Sequence, residues 1–239
     1  MAHDNIFALP IEKIGQFTFD EEVVKVFPDM IRRSVPGYAS VLSMVGVLGQ
    51  RYCSAGTVAY DLGCSLGAGT LILQQAIPED CKIIAIDDSR AMLDEFESQL
   101  AVRKQTNIHT LHADIRAVDY EPCSFVMLNW TLQFVPEESR DDLITKLFNS
   151  LHPGGALMLS EKIVASETDE RELMIDLHHG FKAANGYSQL EIAQKRTSLE
   201  NRLLPESIEA HRARLRRAGF KTICVWFQCF NFASFLAVK

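Results

Sequence analysis

No run of apolar residues in this chain approaches the twenty or so, about the length of a bilayer span, and Asp4 precedes any apolar stretch. Neither a membrane anchor nor a secretory leader is therefore expected. Cysteine is present but unorganised. The six residues (Cys53, Cys64, Cys81, Cys123, Cys224 and Cys229) form no Cys-x-x-Cys pair, and most sit in or beside apolar runs as small hydrophobes do. That excludes a disulfide framework and fits a reducing cytoplasm. There is no internal repeat and no low-complexity tract. Cations are in the minority: a formal net charge of −7 argues against holding nucleic acid through the overall field, though it leaves room for a local basic pocket. Metal-ligand spacing is missing too. His109 and His112 lie three apart on an expected strand and point to opposite faces, and the adjacent His178 and His179 diverge on a helix. No metal is expected.

What the chain does have is length and apolar content. With 239 residues, 47% of them hydrophobic, it can bury the core of one large domain. Helical patterns at 19–33 and 37–52 come first, making residues 1–56 an N-terminal helical segment, with Pro28 expected to break or kink the first helix. From residue 57 strands (57–62, 82–87, 107–112, 124–129, 155–161) alternate with helices (68–77, 89–104, 137–151). This is the rhythm of an α/β fold with a parallel sheet and right-handed crossovers. Pro153-Gly154-Gly155 reads as a turn before the fifth strand. Residues 163–204 interrupt the rhythm as a helical insertion, broken at Asn185-Gly186-Tyr187 and restarted by a capping box, Ser188 to Glu191. An Arg-rich helix at 206–217 and strands near 221–228 and 231–238 complete one domain over 1–239.

The most informative stretch is Val58-Ala59-Tyr60-Asp61-Leu62-Gly63-Cys64-Ser65-Leu66-Gly67-Ala68-Gly69-Thr70. A short strand ends in an acid and breaks into small residues that open a helix, as in sheets that hold nucleotide-like ligands beyond their strand ends. Two chemistries share such a loop: one holds S-adenosylmethionine (SAM), the other is the Gly-x-Ser-x-Gly elbow of α/β-hydrolases, here Gly63, Ser65 and Gly67. The later strand ends separate them. Asp87 follows Gly63 by 24 residues, where a carboxylate can accept both ribose hydroxyls; the competing role is to cap the next helix together with Asp88 and Ser89. Asp114 after the third strand suits an adenine amine, with Ile115 offering a backbone amide and an apolar face, or else it is a solvated turn residue. Asn129 ends the fourth strand, where its amide can line the site. This constellation favours SAM. A hydrolase would need strands before its elbow, and nothing marks Asp176 or His211 as triad partners for Ser65. Two basic groups have plain explanations. Lys195 and Arg196 sit at i,i+4 spacing from Glu191 and Glu200, and Arg212, Arg214, Arg216 and Arg217 fall in the last turns of a helix.

The chain resembles class I SAM-binding proteins, and more closely the carboxy-S-adenosylmethionine synthase family. The match runs over nearly the whole chain. It rests on Val26-Phe27-Pro28-Asp29-Met30-Ile31, Arg33-Ser34-Val35-Pro36-Gly37-Tyr38, Tyr60-Asp61-Leu62-Gly63-Cys64-Ser65-Leu66-Gly67, Phe181-Lys182-Ala183-Ala184-Asn185-Gly186-Tyr187-Ser188, Gln194-Lys195-Arg196 and Trp226-Phe227-Gln228-Cys229-Phe230-Asn231-Phe232. The resemblance implies a Rossmann-like fold with a mostly parallel seven-stranded sheet whose last strand is antiparallel. It implies conversion of SAM and prephenate to carboxy-SAM and phenylpyruvate, without a metal, for 5-oxyacetic acid modification of the tRNA wobble uridine. A sulfonium acidifies its methyl group, and the resulting ylide can trap carbon dioxide as prephenate aromatises. Carried over by position, the ligand contacts are Tyr38, Gly63, Cys64, Ser65, Asp87, Asp88, Asp114, Ile115, Asn129 and Arg196. Arg196 is the implied catalytic residue, gripping the transferred carboxylate through its planar fork. The resemblance also implies a homodimer, with the insertion as substrate cover and subunit contact, and no direct contact with nucleic acid. Asp88 replaces a frequent Asn, and Trp130 a smaller aromatic. The competing functions are a conventional SAM-dependent methyltransferase and a non-catalytic SAM-binding partner of a tRNA-modifying enzyme.

Overall fold

The computed structural model describes residues 2–103 and 107–239. Residue 104, the expected end of the 89–104 helix, lies outside the described residues. Two helices, α1 (Glu21–Ser34) and α2 (Tyr38–Tyr52), precede the alternation β1 (Val58–Leu62), α3 (Ala68–Ala76), β2 (Lys82–Asp87), α4 (Arg90–Arg103), β3 (Ile108–His112), β4 (Cys123–Asn129), α5 (Glu137–Ser150) and β5 (Leu151–Lys162). Helices α6 (Thr168–Ala184) and α7 (Gln189–Leu199) follow, then α8 (Ile208–Ala218), β6 (Thr222–Cys229) and β7 (Phe232–Val238).

The seven strands lie in the order β3-β2-β1-β4-β5-β7-β6. β1 to β5 pair in parallel, and β7 runs antiparallel to both β5 and β6. The order reverses between β1 and β4, the switch point at which such sheets open a crevice beyond their carboxyl ends. The central strands read as unbroken apolar runs because both faces are covered. Val126 and Leu128 pack with Leu143 and Leu147 of α5 on one side; Phe125 and Met127 pack with Val45 and Leu73 on the other. A third cluster joins Phe7, Phe17 and Met92 with Val23, Val26 and Met30 of α1, so the N-terminal segment lies over the sheet's ligand end.

Two expectations need correction. Pro28 does not break α1. The helix runs through it, losing only the amide that proline lacks, with Asp20 capping the start and the Pro28 carbonyl accepting from Arg32. Pro153-Gly154-Gly155 is not a turn before β5 but lies within the strand. The register with β4 jumps between Cys123–Leu151 and Phe125–Ala156, which marks a bulge. The capping box holds: the Ser188 hydroxyl accepts from Glu191 N–H at 3.2 Å, and the Glu191 carboxylate accepts from Ser188 N–H at 2.7 Å.

Candidate active site

Beyond the carboxyl ends of β1 to β5 lies a cavity of about 400 Å³. The glycine loop makes its floor. Gly63 has φ +77°, and a Cβ there would lie 2.3 Å from Thr131 Oγ1, so only glycine permits this approach of β1 to the loop after β4. Gly67, at φ +75°, would strike the Phe96 ring within 2.0 Å. Both Gly63 and Cys64 donate their amides to Ile86 O, at 2.8 and 3.0 Å, and Ser65 N–H donates to Asp87 Oδ2 at 2.7 Å. The loop is thus welded to β2. Ser65 itself takes φ +50°, a costly geometry for a side-chain residue.

Of the ten positions carried over from the resemblance, nine line the cavity: Tyr38, Gly63, Cys64, Ser65, Asp87, Asp88, Asp114, Ile115 and Asn129. Arg196 does not. It sits on the exposed face of α7 and makes no ion pair among the described residues. Its charge is nevertheless felt at the cavity, where it adds to burial in lowering the pKa values of Lys162 and Lys182. Its neighbour Lys195, by contrast, is not on a solvated face. It is buried, 3.5 Å from Asp4 Oδ2 and 3.0 Å from Ser34 Oγ, because the N-terminal segment folds back over α7.

The acids are set differently from one another. Asp87 accepts from both Ser65 N–H and Ser89 N–H, at 2.7 and 2.9 Å, so it caps the following turn while also facing the cavity. Burial pushes its carboxyl above the usual range. Asp61 is buried, accepts from the Thr70 hydroxyl at 2.5 Å, and is raised to about 7 by burial despite that bond. Asp114 is half-exposed and held by the Arg116 guanidinium at 2.5 to 3.0 Å, which keeps its carboxyl low. The Cys64 thiol is pushed well up by burial and the nearby carboxylates, so it is no nucleophile. Tyr38, raised to about 12 by burial and Asp61, keeps its proton and packs its ring 5.3 Å from that of Trp130.

The residues fit a SAM molecule on structural grounds. Asn129 Oδ1 is buried with no hydrogen-bond partner while its residue faces the cavity. Asp61 and Asp87 bring acceptors to the same wall. The loop after β4 is built to hold this shape. Trp130 takes φ +58° with its amide on Ser160 O at 2.7 Å, and buried Glu161 accepts from Leu132 N–H and Gln133 N–H, each at 2.9 Å. Burial pushes the Glu161 carboxyl up to about 8.

Reasoning along the sequence missed the opposite wall. Lys162 closes β5, Lys182 projects from α6, and both line the cavity together with Lys195 and His178. Lys162 was open to the logic that found Asp87 and Asn129, since it too ends a parallel strand. Lys182 carried no such signal. The hydrolase reading gains nothing here: Asp176 is exposed, His211 is buried against Phe235, and neither lines the cavity.

The methyltransferase domain family matches residues 59–155, the segment from β1 into β5. The fold is similar to that of an O-methyltransferase of Nostoc punctiforme, with a TM-score of 0.64 at 15% identity over 94% of this chain and 64% of that one. Closer relatives decide the family. Carboxy-S-adenosyl-L-methionine synthases of Photobacterium profundum (50% identical, 99% of this chain and 98% of that protein) and Aliivibrio fischeri (51%, with the same coverage) align from end to end. The chain belongs to the carboxy-S-adenosyl-L-methionine synthase family. It is an enzyme on a class I methyltransferase fold, and SAM is its ligand. Among the described residues no helix is long and apolar enough to cross a membrane, and no cluster of His, Cys, Asp and Glu would hold a metal.

Proposed function

We propose that this enzyme makes carboxy-SAM from SAM and prephenate, releasing phenylpyruvate, and that the product is the carboxymethyl donor for 5-oxyacetic acid modification of the tRNA wobble uridine. The balance closes without a redox partner. The ring carboxyl of prephenate moves to the SAM methyl carbon, and one methyl proton leaves with the ring hydroxyl as water. When bound, SAM supplies a sulfonium that acidifies its methyl hydrogens. The rest falls to the protein.

One observation carries this reading: the charge of the cavity is divided along the sheet. The acids Asp61, Asp87 and Asp114 stand at the ends of β1, β2 and β3, whereas Lys162, Lys182 and Lys195 stand on β5, α6 and α7. A cation such as the sulfonium would be repelled by the ammonium groups of Lys162 and Lys182, whereas that of Lys195 is paired with Asp4. An anionic co-substrate removes that conflict, and a methyl acceptor without charge does not. In this reading Asp87 accepts from the ribose, Asp114 and Ile115 meet the adenine, and Tyr38, Gly63, Cys64, Ser65, Asp88 and Asn129 complete the SAM contacts. Arg196 grips the new carboxylate. Its exposure fits a homodimer whose contact includes α6 and α7, where Leu173, Leu177 and Leu190 are exposed at 55%, 39% and 40%.

The test is to follow phenylpyruvate from prephenate with enzyme, SAM or both. Release that needs both supports the reading; release indifferent to SAM contradicts it.

A further inference from the structure

Lys182 is 7% exposed and Lys162 half-buried, and both face the cavity. Among the described residues neither ammonium group has a hydrogen-bond acceptor or a carboxylate partner. Lys195, the third lysine of this wall, is already neutralised by Asp4. His178 adds no charge: its Nε2 lies 2.8 Å from Ser34 O, and burial with the neighbouring lysines drives its pKa down to about 3. Burial and mutual repulsion also bring Lys182 down to about 7. A buried, unpaired cation is expensive unless something completes it.

We propose that Lys162 and Lys182 form the seat of a carboxylate of the second substrate, and specifically of the carboxylate that does not react. This rests on the reading above, in which a small organic anion donates a carboxyl group. The choice between its carboxylates follows from charge. The departing group loses its negative charge as carbon dioxide forms, so a lysine pair gripping it would stabilise the ground state over the transition state. The retained carboxylate keeps its charge throughout, and binding it there costs the reaction nothing. Filling the seat also cancels the lysines' repulsion of a cationic sulfonium in the same cavity.

The experiment compares Lys182→Met and Lys162→Met with the wild type, in steady-state kinetics and in calorimetry with phenylpyruvate on the SAM-loaded protein. Phenylpyruvate retains the carboxylate assigned to the seat. Methionine keeps the bulk of the side chain and removes a desolvated charge, so folding should survive, and thermal unfolding checks it. The expected result is a tenfold or larger rise in both KM for prephenate and Kd for phenylpyruvate. kcat should change less than threefold, and the SAM affinity less than twofold. A fall in kcat with KM unchanged, or loss of SAM affinity alone, would overturn the proposal. Calorimetry also separates this inference from the reaction it rests on. If the wild type converts no prephenate yet binds phenylpyruvate, and Lys182→Met abolishes that binding, the seat stands and the reaction falls. If the SAM-loaded wild type does not bind phenylpyruvate, the seat falls.

Discussion

Asp87 has two roles at once, holding the turn at Ser89 and tying down the glycine loop through Ser65. Its replacement by Asn removes the charge while keeping the shape. We expect affinity for SAM and carboxy-SAM to fall together by about 10- to 100-fold, the range of a lost charge-assisted hydrogen bond of roughly 1.5–3 kcal/mol. Titration calorimetry with both ligands checks this; a change in stability with both affinities intact would make Asp87 purely structural. Arg196→Ala is expected to split the two ligands. SAM binding should hold within about twofold while carboxy-SAM weakens about tenfold or more, since a bidentate guanidinium contact is removed. Equal retention of both ligands would end that assignment. At this scale the acidic wall was readable because strand ends are fixed by local pattern: Asp87, Asp114 and Asn129 follow directly from where apolar runs stop. Lys182 was not, because its place in the cavity depends on how α6 lies across the sheet. The plain explanation of Lys195 by Glu191 failed for a similar reason: the partner it takes, Asp4, is 191 residues away in sequence.

The elements were legible wherever periodicity and caps agree, as in α7 with its capping box and α8 with Ser207 at its start and Gly219 at its end. Pro28 and the Pro153–Gly155 stretch misled because a lone proline or glycine pair signals a local break, whereas α1 continues past Pro28 and the main chain of Gly154 and Gly155 pairs with Lys239. The joints between elements rest on ions that sequence cannot pair. Arg140 of α5 is fully buried and donates to the carbonyls of Val135 and Leu204, both at 2.9 Å, and to Glu206. Arg214 of α8 reaches the same Glu206 at 2.7 and 2.8 Å and Asp141 at 2.7 Å. Those bonds commit Arg214 of α8 to the fold. Arg140→Ala leaves the Val135 and Leu204 carbonyls without that donor and Glu206 with Arg214 as its remaining partner, and we expect a loss of about 1–3 kcal/mol in denaturant unfolding. A loss below about 1 kcal/mol would mean the network adds little beyond what surface pairs give.

Over the whole molecule, two buried acids each add a pH dependence of definite sign. Asp61 and Glu161 are raised by burial to about 7 and about 8, above their unfolded values of about 3.9 and 4.3. Between those limits the folded state holds protons that the unfolded state has lost, so the contribution of these two acids to stability falls as pH rises from about 4 to 8, opposite in sign to that of His178, whose pKa burial lowers. Glu161→Gln should flatten that slope in unfolding measured across the range, and an unchanged slope would place the ionisation elsewhere. The sequence made the α/β order and the glycine loop plain. The division of the cavity into an acidic and a cationic wall became visible only once β5, α6 and α7 were seen beside β1 to β3.

That division underlies the central claim, and mass spectrometry of the small molecules released on denaturing the protein tests it most directly. After incubation with SAM and prephenate, the account predicts a species heavier than SAM by one carboxylate, accumulating as phenylpyruvate appears. SAM recovered unchanged, with or without prephenate, would contradict it and return the chain's cavity to methyl transfer or silent binding.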